Sequence, residues 1–304
     1  LMSNMYLAVT LPATGPGQSV FRYTDHVGRA LIKQVDLLIN ETVVETIYDD
    51  WFVMRDQMFL DADEQLGIYQ AIGQSNITSS TQTKLVIPLE FFFCRRHSHG
   101  NKDRERLRRP YFPLCAMWNQ RLYVRFTFHP NTWWCSAPTS YGIDMFPTGT
   151  TQWPTLITEE ILLENAEKLY YQHTPLRYIV PRIQKESTLS FTSQSTILQL
   201  TASFPVQTIA WFFRNKNYEN VSNPAFYNVR YSYGYTTQFI KSGIALQFPS
   251  GNANYVNVIN NAKITLNNVD ILSTFQGSLY YSFKQPMEHG LSIPSKNIYT
   301  YSFG

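Results

Sequence analysis

Cysteine is scarce in this chain: Cys94, Cys115 and Cys135 are the only three in 304 residues. Three thiols cannot all pair, and they are too few for a disulfide-stapled scaffold. They read instead as small buried hydrophobes in a reducing compartment. Charge is sparse as well, at 15% of residues, and the net charge of +3 is too small to argue for nucleic-acid binding. No apolar run approaches the ~20 residues of a spanning helix, and no charged-then-apolar leader opens the chain, so a soluble, unsecreted protein is expected. Catalytic patterns are missing too. No paired carboxylates stand in an apolar frame, and there is neither a Gly-x-Ser-x-Gly nor a phosphate-cradling loop. The six histidines have no evident acid or nucleophile partner. No enzymatic role is expected, and no residue is assigned a catalytic, cofactor-binding or metal-binding role.

What the chain does have is aromatic residues, with 20 Tyr and 20 Phe, side chains suited to a pleated surface. The stretch from Lys84 to Phe128 shows how they are used. An apolar run, Lys84 to Phe93, reads as a buried strand, and Pro88 places it at an edge, an end or a bulge because proline cannot donate a ladder hydrogen bond. A second apolar segment follows at Phe112 to Met117. From Arg121 to Phe128, Leu122, Val124, Phe126 and Phe128 alternate with Arg121, Tyr123, Arg125 and Thr127, the period-two pattern of a sheet with one buried face. Between these segments, Arg95 to Arg109 holds seven Lys or Arg against Asp103 and Glu105, leaving about −2 for the rest of the chain.

The remainder repeats the strand theme. Leu7, Val9 and Leu11 alternate with Tyr6, Ala8 and Thr10 before Pro12 and the turn composition Gly15-Pro16-Gly17. Leu31 to Asn40 and Val43 to Tyr48 form two further strands across a turn at Glu41-Thr42. Asp61 with Glu64 is a capping box, and Leu66, Tyr69 and Ile72 recur at helical spacing before Gly73, predicting a short helix that covers one end of a sheet. Trp133 to Thr151 has Pro138, Gly142, Pro147 and Gly149 with little periodicity, placing a domain boundary near residue 145. Ile157 to Tyr171 fits either a helix or a strand through Leu163 followed by a helical turn. Strands are then expected at Thr188 to Phe191, Ile197 to Leu200, Gln207 to Arg214, Ile264 to Leu266, Leu279 to Phe283 and Ile298 to Phe303. Val35 to Asn40 is echoed 227 residues later by Ala262 to Asn267, each a strand ending at Asn, which points to two successive copies of one fold.

Three segments in order carry a resemblance. Met5-Tyr-Leu-Ala-Val-Thr-Leu-Pro12, then Ile87-Pro-Leu-Glu-Phe-Phe-Phe-Cys94 with Phe112-Pro-Leu-Cys-Ala-Met117, then Gln285-Pro286 and Ile298-Tyr-Thr-Tyr-Ser-Phe-Gly304 resemble the major capsid proteins of large nucleocytoplasmic eukaryotic DNA viruses. The resemblance implies an all-β fold of two consecutive antiparallel jelly-roll sandwiches, a double jelly roll with a few short helices. Residues 1–145 are expected to form the first sandwich, lacking its N-terminal strand, and 146–304 the second, lacking a C-terminal tail. It further implies a homotrimer of pseudo-hexagonal outline that tiles an icosahedral shell in the virion. Such a shell meets neighbouring capsomers and minor capsid proteins, is assembled in the host cytoplasm and lies over an inner membrane. Two alternatives stay open: a carbohydrate-binding or attachment sandwich, and a minor capsid or scaffold paralogue of the same fold.

A few residues invite chemistry. Cys94, His97 and His99 form a C-x2-H-x-H cluster, with Cys115 across the loop, but this supplies only half of the paired spacing that a four-ligand zinc site needs. The basic stretch Arg95 to Arg109 suits a solvated loop, a neighbouring capsomer, or the acidic head groups of an inner membrane, without specific nucleic-acid recognition. Trp133-Trp134 and Phe91-Phe92-Phe93 are of a type that stacks on sugars, although core packing is the better reading. Asn40, Asn76 and Asn220 stand in N-x-Ser/Thr triplets, which are common by chance.

Overall fold

β1, Met2–Thr10, is the strand around which the first sheet is built. The computed structural model describes residues 1–14, 19–75, 77–94, 110–136, 154–193, 195–231, 233, 258–272 and 276–303. Met5, Leu7 and Val9 on one face of β1 are buried, as alternation at period two requires. β1 pairs antiparallel with β4, Lys84–Leu89, on one edge and with β6, Thr155–Glu160, on the other. Pro88 lies opposite Tyr6 on β4, an edge strand, where a missing N–H leaves no ladder bond unmade.

The second sheet runs β3-β2-β5, from β2 (Ile32–Ile39), β3 (Thr42–Tyr48) and β5 (Leu122–Phe128). β2 and β3 are joined through Asn40 and Glu41, both at positive φ, 46° and 71°, as a two-residue type I′ hairpin demands. Asp36 in β2 accepts hydrogen bonds from Gln34 and Thr46 and pairs with Arg125 at 2.7 Å. Burial opposes its ionisation, yet these partners hold the carboxyl below its usual range.

Between the sheets lies a core of Leu7, Leu11, Val35, Leu37, Leu85, Ile87, Phe91, Phe93 and Trp134, in which each fully buried aliphatic or Phe side chain contributes about 1.5–3 kcal/mol. Helices close it: α1 (Val27–Leu31), α2 (Asp49–Phe59), α3 (Ala62–Ile72) and the one-turn α4 (Asn131–Trp134). α3 has the capping box read from Asp61 and Glu64. It ends at Gly73, whose φ of 107° suits only glycine. Gly28 in α1 permits a close approach, since a Cβ there would sit 2.9 Å from the Ile72 carbonyl oxygen.

The second half is more open. After β6 comes α5, Asn165–His173, so the strand-then-helix reading of Ile157 to Tyr171 is the one the chain adopts. β7 (Thr208–Phe212) pairs with β12 (Ile298–Ser302). Ala210 and Phe212 face the first core, while Trp211 joins Tyr281 and Tyr299 in a second cluster. β8 (Asn261–Ala262) pairs with β11 (Gln276–Gly277), and β9 (Thr265–Leu266) with β10 (Val269–Asp270). The β9–β10 turn puts Asn267 and Asn268 at φ 49° and 64°. Both copies of the sequence repeat therefore end in a two-residue loop of positive φ beginning at Asn.

Several expectations need correction. Thr188 to Phe191 and Ile197 to Leu200 form no strand; alternation makes a segment competent for a sheet, but a strand exists only where a neighbour accepts its ladder bonds. Leu279 to Phe283 is helical, a π turn over Tyr280–Lys284 running into α6 (Gln285–Glu288) with Pro286 at its start, a position that favours helix initiation. The strand through Phe93 stops at Leu89, because Glu90 turns inward to Arg29 and Arg55. Phe112 bridges Met2, and the chain then makes a 3-10 turn over Leu114–Ala116. The Gly15-Pro16-Gly17 turn, the whole basic stretch Arg95 to Arg109 and the boundary near 145 lie outside the described residues.

Candidate functional site: a buried charge seam and an exposed acidic flank

α2 follows β3 without a break and begins with Asp49 and Asp50, favourably placed at the positive end of the helix dipole. Four of its charged residues, Asp49, Asp50, Arg55 and Asp56, are buried, and charged residues are buried only where they find partners. Asp56 accepts two hydrogen bonds from Arg29, from Nε and Nη2, both at 2.9 Å, the bidentate geometry that strengthens such pairs. Arg29 gives its remaining Nη1 to the Pro88 carbonyl at 2.8 Å and stands 3.5 Å from Glu90, which Arg55 approaches to 3.1 Å. Two arginines and two carboxylates thus neutralise one another inside the first half. Burial alone disfavours the Arg29 cation, but Asp56 and Glu90 outweigh it and keep the group charged.

The other end of α2 reaches the second half of the chain. Asp49 Oδ2 accepts from His129 Nε2 at 2.9 Å and from the Tyr231 hydroxyl at 2.8 Å, and Tyr231 accepts from Trp133 Nε1 at 2.7 Å. Asp50 accepts from the Tyr233 hydroxyl at 3.0 Å and pairs closely with Arg214, whose Nε donates to the Arg230 carbonyl at 2.7 Å. Burial raises the pKa of Asp50, and the neighbouring Asp49 adds to that rise despite Arg214. Asp49 is held low: burial opposes its charge, but His129 and Arg214 more than offset it. Gln57 Oε1 accepts from Ser295 N at 3.0 Å and Oγ at 2.6 Å, and Ser292 N donates to the Met58 carbonyl at 2.7 Å. One polar helix fastens two distant parts of the sequence.

A cavity of about 20 Å³ beside this seam is lined by Asp25, His26, Arg29, Val53, Asp56, Tyr69, Tyr231 and Lys296. It has room for one water and no substrate. His26 stacks on Tyr69 at 3.6 Å between centroids. Burial, then the positive charges of Lys296 and Arg29, press its pKa down to about 3. Burial likewise lowers Lys296 to about 8. The sign for His26 follows from linkage. Its folded pKa lies below the unfolded value, so as pH falls through about 6.5 the unfolded chain takes up a proton that the folded chain refuses. Stability from this group is full above pH ~6.5 and declines towards pH ~3. His26→Asn keeps a residue tolerant of its left-handed backbone, φ 53°. This variant is expected to flatten the dependence of Tm on pH between 4 and 6.5, read by thermal melts; an unchanged slope would count against the assignment.

A flank of different character lies at the end of the first sheet. Among the described residues β6 is paired on one edge only, and all six of its residues are exposed, as is nearly all of α5. α5 is held against the 3-10 turn, where Gln172 Nε2 donates to the Cys115 carbonyl at 3.3 Å. Leu162 is 91% exposed and Trp118 81%, well beyond ordinary surface residues of their size. Four glutamates, Glu159, Glu160, Glu164 and Glu167, share this flank with one lysine, Lys168.

The residues singled out by sequence are dispersed. Trp133, Trp134, Phe91 and Phe93 are buried in the core and offer no sugar platform. Cys94 and Cys115 are half-buried and Cys135 is fully buried, none of them in a disulfide, while His97, His99 and Asn76 lie outside the described residues. Asn40 turns its Oδ1 to Arg121 N at 2.8 Å, and Asn220 closes a turn onto Ser222 N at 3.0 Å. The charge seam was not foreseen, because its members are far apart in sequence; the Asp49-Asp50 doublet at the end of an apolar strand was the one local pointer.

Two family patterns match the chain in succession: "Major capsid protein N-terminus" over residues 1–154 and "Large eukaryotic DNA virus major capsid protein" over 167–304. Among curated proteins, the major capsid protein of Paramecium bursaria Chlorella virus 1 is 24% identical over 317 residues, covering 100% of this chain and 67% of that protein. Capsid protein 1 of Acanthamoeba polyphaga mimivirus is 22% identical over 246 residues, covering 72% of this chain and 39% of its own length. The chain thus spans well under half of that relative, and 45% of the Phaeocystis pouchetii virus major capsid protein. Among solved structures, the PBCV-1 virus capsid matches 100% of this chain and 71% of the solved chain, with a TM-score of 0.68 at 20% identity. The Faustovirus major capsid protein matches 99% of this chain and 77% of its own, with 0.62 at 11%. The fold is the all-β double jelly roll that the resemblance implied, with its helices short. The chain belongs to the major capsid protein family of large eukaryotic DNA viruses.

Proposed function

We propose that the chain is a structural subunit of a virion shell, a major capsid subunit that forms homotrimers of pseudo-hexagonal outline. The observation that carries this is the succession of two capsid family patterns along one chain, one in each half. We place the division into two sandwiches near residue 145, with β6 crossing back to complete the first sheet. The role is assembly rather than catalysis, and the seam around α2 serves it by holding the two halves in one fixed relation. The subunit meets neighbouring capsomers and minor capsid proteins, is assembled in the host cytoplasm, and directs the basic segment Arg95 to Arg109 at an acidic surface, protein or lipid. Identical subunits closing around a threefold axis give a finite unit suited to tiling. Light scattering of the purified chain is expected to return three times its 35.3 kDa mass. A stable monomer that binds and elutes with a sugar would overturn the reading in favour of an attachment protein.

A further inference from the structure

Among the described residues, β6 and α5 are held by little besides one strand pairing and the 3-10 turn. A nine-residue helix is too short to persist on propensity alone, and a strand paired on one edge offers the other for pairing. Leu162, Leu169, Tyr170 and Trp118 add exposed apolar surface, all four more than half exposed, of the kind that supplies interface anchors. The charges around them decide what can sit there. A twofold contact of this flank with its own copy would set Glu159, Glu160, Glu164 and Glu167 against the same glutamates, a like-charge juxtaposition that costs several kcal/mol. A surface rich in lysine and arginine meets no such penalty, and the chain has one concentrated source, the seven cations of Arg95 to Arg109.

We propose that the β6–α5 flank of one subunit receives the basic segment Arg95 to Arg109 of the next, head to tail around the trimer axis. The proposal rests on the trimer reading above and supplies its contact. Opposite charges on different parts of one chain favour a heterologous interface, and a heterologous interface that closes makes a ring rather than a dimer. The chain that follows the segment meets the flank at one end of the first sheet. Phe112, just after the basic segment, exchanges two hydrogen bonds of 2.9 Å with Met2, and Met2 stands opposite Glu160 of β6. Subunits arrayed around an axis at that end present donor and acceptor to each other. The apolar anchors fill the centre of the contact and the charges form its rim.

Charge reversal tests the idea by mass. Glu159→Lys/Glu160→Lys on the flank, and separately Arg104→Glu/Arg106→Glu on the segment, are each expected to weaken trimer formation at least tenfold, with the effect shrinking in high salt. Putting both reversals into one chain is expected to restore the trimer. Thermal melts of each variant separate lost assembly from lost folding. Trimers that survive either single reversal, or a combined variant that stays monomeric, overturn the proposal; pairing of the two segments within one chain would leave the mass untouched and so counts as the first outcome. Wild-type capture by phosphatidylserine vesicles that depends on Arg104 and Arg106, with trimers unaffected by their reversal, assigns the segment to a lipid surface and overturns it as well. A wild-type chain that is itself monomeric refutes the trimer reading, a failure visible before any variant is made.

Discussion

Replacing Arg29 by methionine is expected to cost about 3–5 kcal/mol of stability, the penalty typical of breaking a buried ion pair from one side. Asp56 loses both of its 2.9 Å hydrogen bonds from Arg29, and Glu90 loses the Arg29 cation 3.5 Å away while keeping Arg55 at 3.1 Å. The cost comes less from a lost attraction than from a carboxylate left buried without its cation. For that reason a second change should repair much of the first. Arg29→Met/Asp56→Leu removes the charge together with its partner and leaves the Arg55–Glu90 pair intact, so it is expected to recover more than half of the loss. Chemical denaturation of the two single variants and the double variant closes the cycle. If the double variant is as unstable as the sum of the singles, the pair is not the unit described here.

Arg214→Gln is expected to be nearly as severe, by about 3 kcal/mol, but its effect should be confined to the join between the halves. Arg214 pairs with Asp50, reaches the Arg230 carbonyl and lies over the rings of Phe212, Tyr231 and Tyr233 at 5.2 to 5.6 Å. Hydrogen exchange is expected to accelerate in β7 and β12 while β1, β2 and β4 stay protected, since local opening follows the contacts that were lost. Arg214→Lys should rescue little, because an ammonium cannot hold Asp50 and a carbonyl in one fixed fork while stacking on rings. Uniform exchange across the chain would show that the arginine supports the core generally rather than the join.

How much of this could be read from residues alone depended on the range of the interaction. β1 and β5 were legible because one buried face imposes alternation on every second residue, and β2 and β3 because two apolar segments flank a short turn after Asn40. The helix at Asp61 was legible because its cap is written within four residues. α2 was not, because its hidden side is charged: Asp49, Asp50, Arg55 and Asp56 interrupt any apolar stripe, and an apolar stripe is what announces a helix. The partners that make those charges tolerable lie far away, Arg29 at 27 residues from Asp56 and Tyr231 at 182 from Asp49. Local pattern has no access to pairs at such separations. The stretches at Thr188 and Ile197 failed in the opposite sense, with the alternation of strands but no ladder partner where the chain places them.

The placement of β1 has a consequence for how the polypeptide is made. Because β1 precedes both of its neighbours in the chain, it finds one, β4, only some eighty residues later, and the other only when Thr155 to Glu160 has emerged. Until then a row of unsatisfied amides and carbonyls stands open to whatever passes, other nascent copies included. The slowest event in maturation should therefore be the arrival of β6 at that waiting edge, and a product cut short before residue 155 is the one most prone to clump.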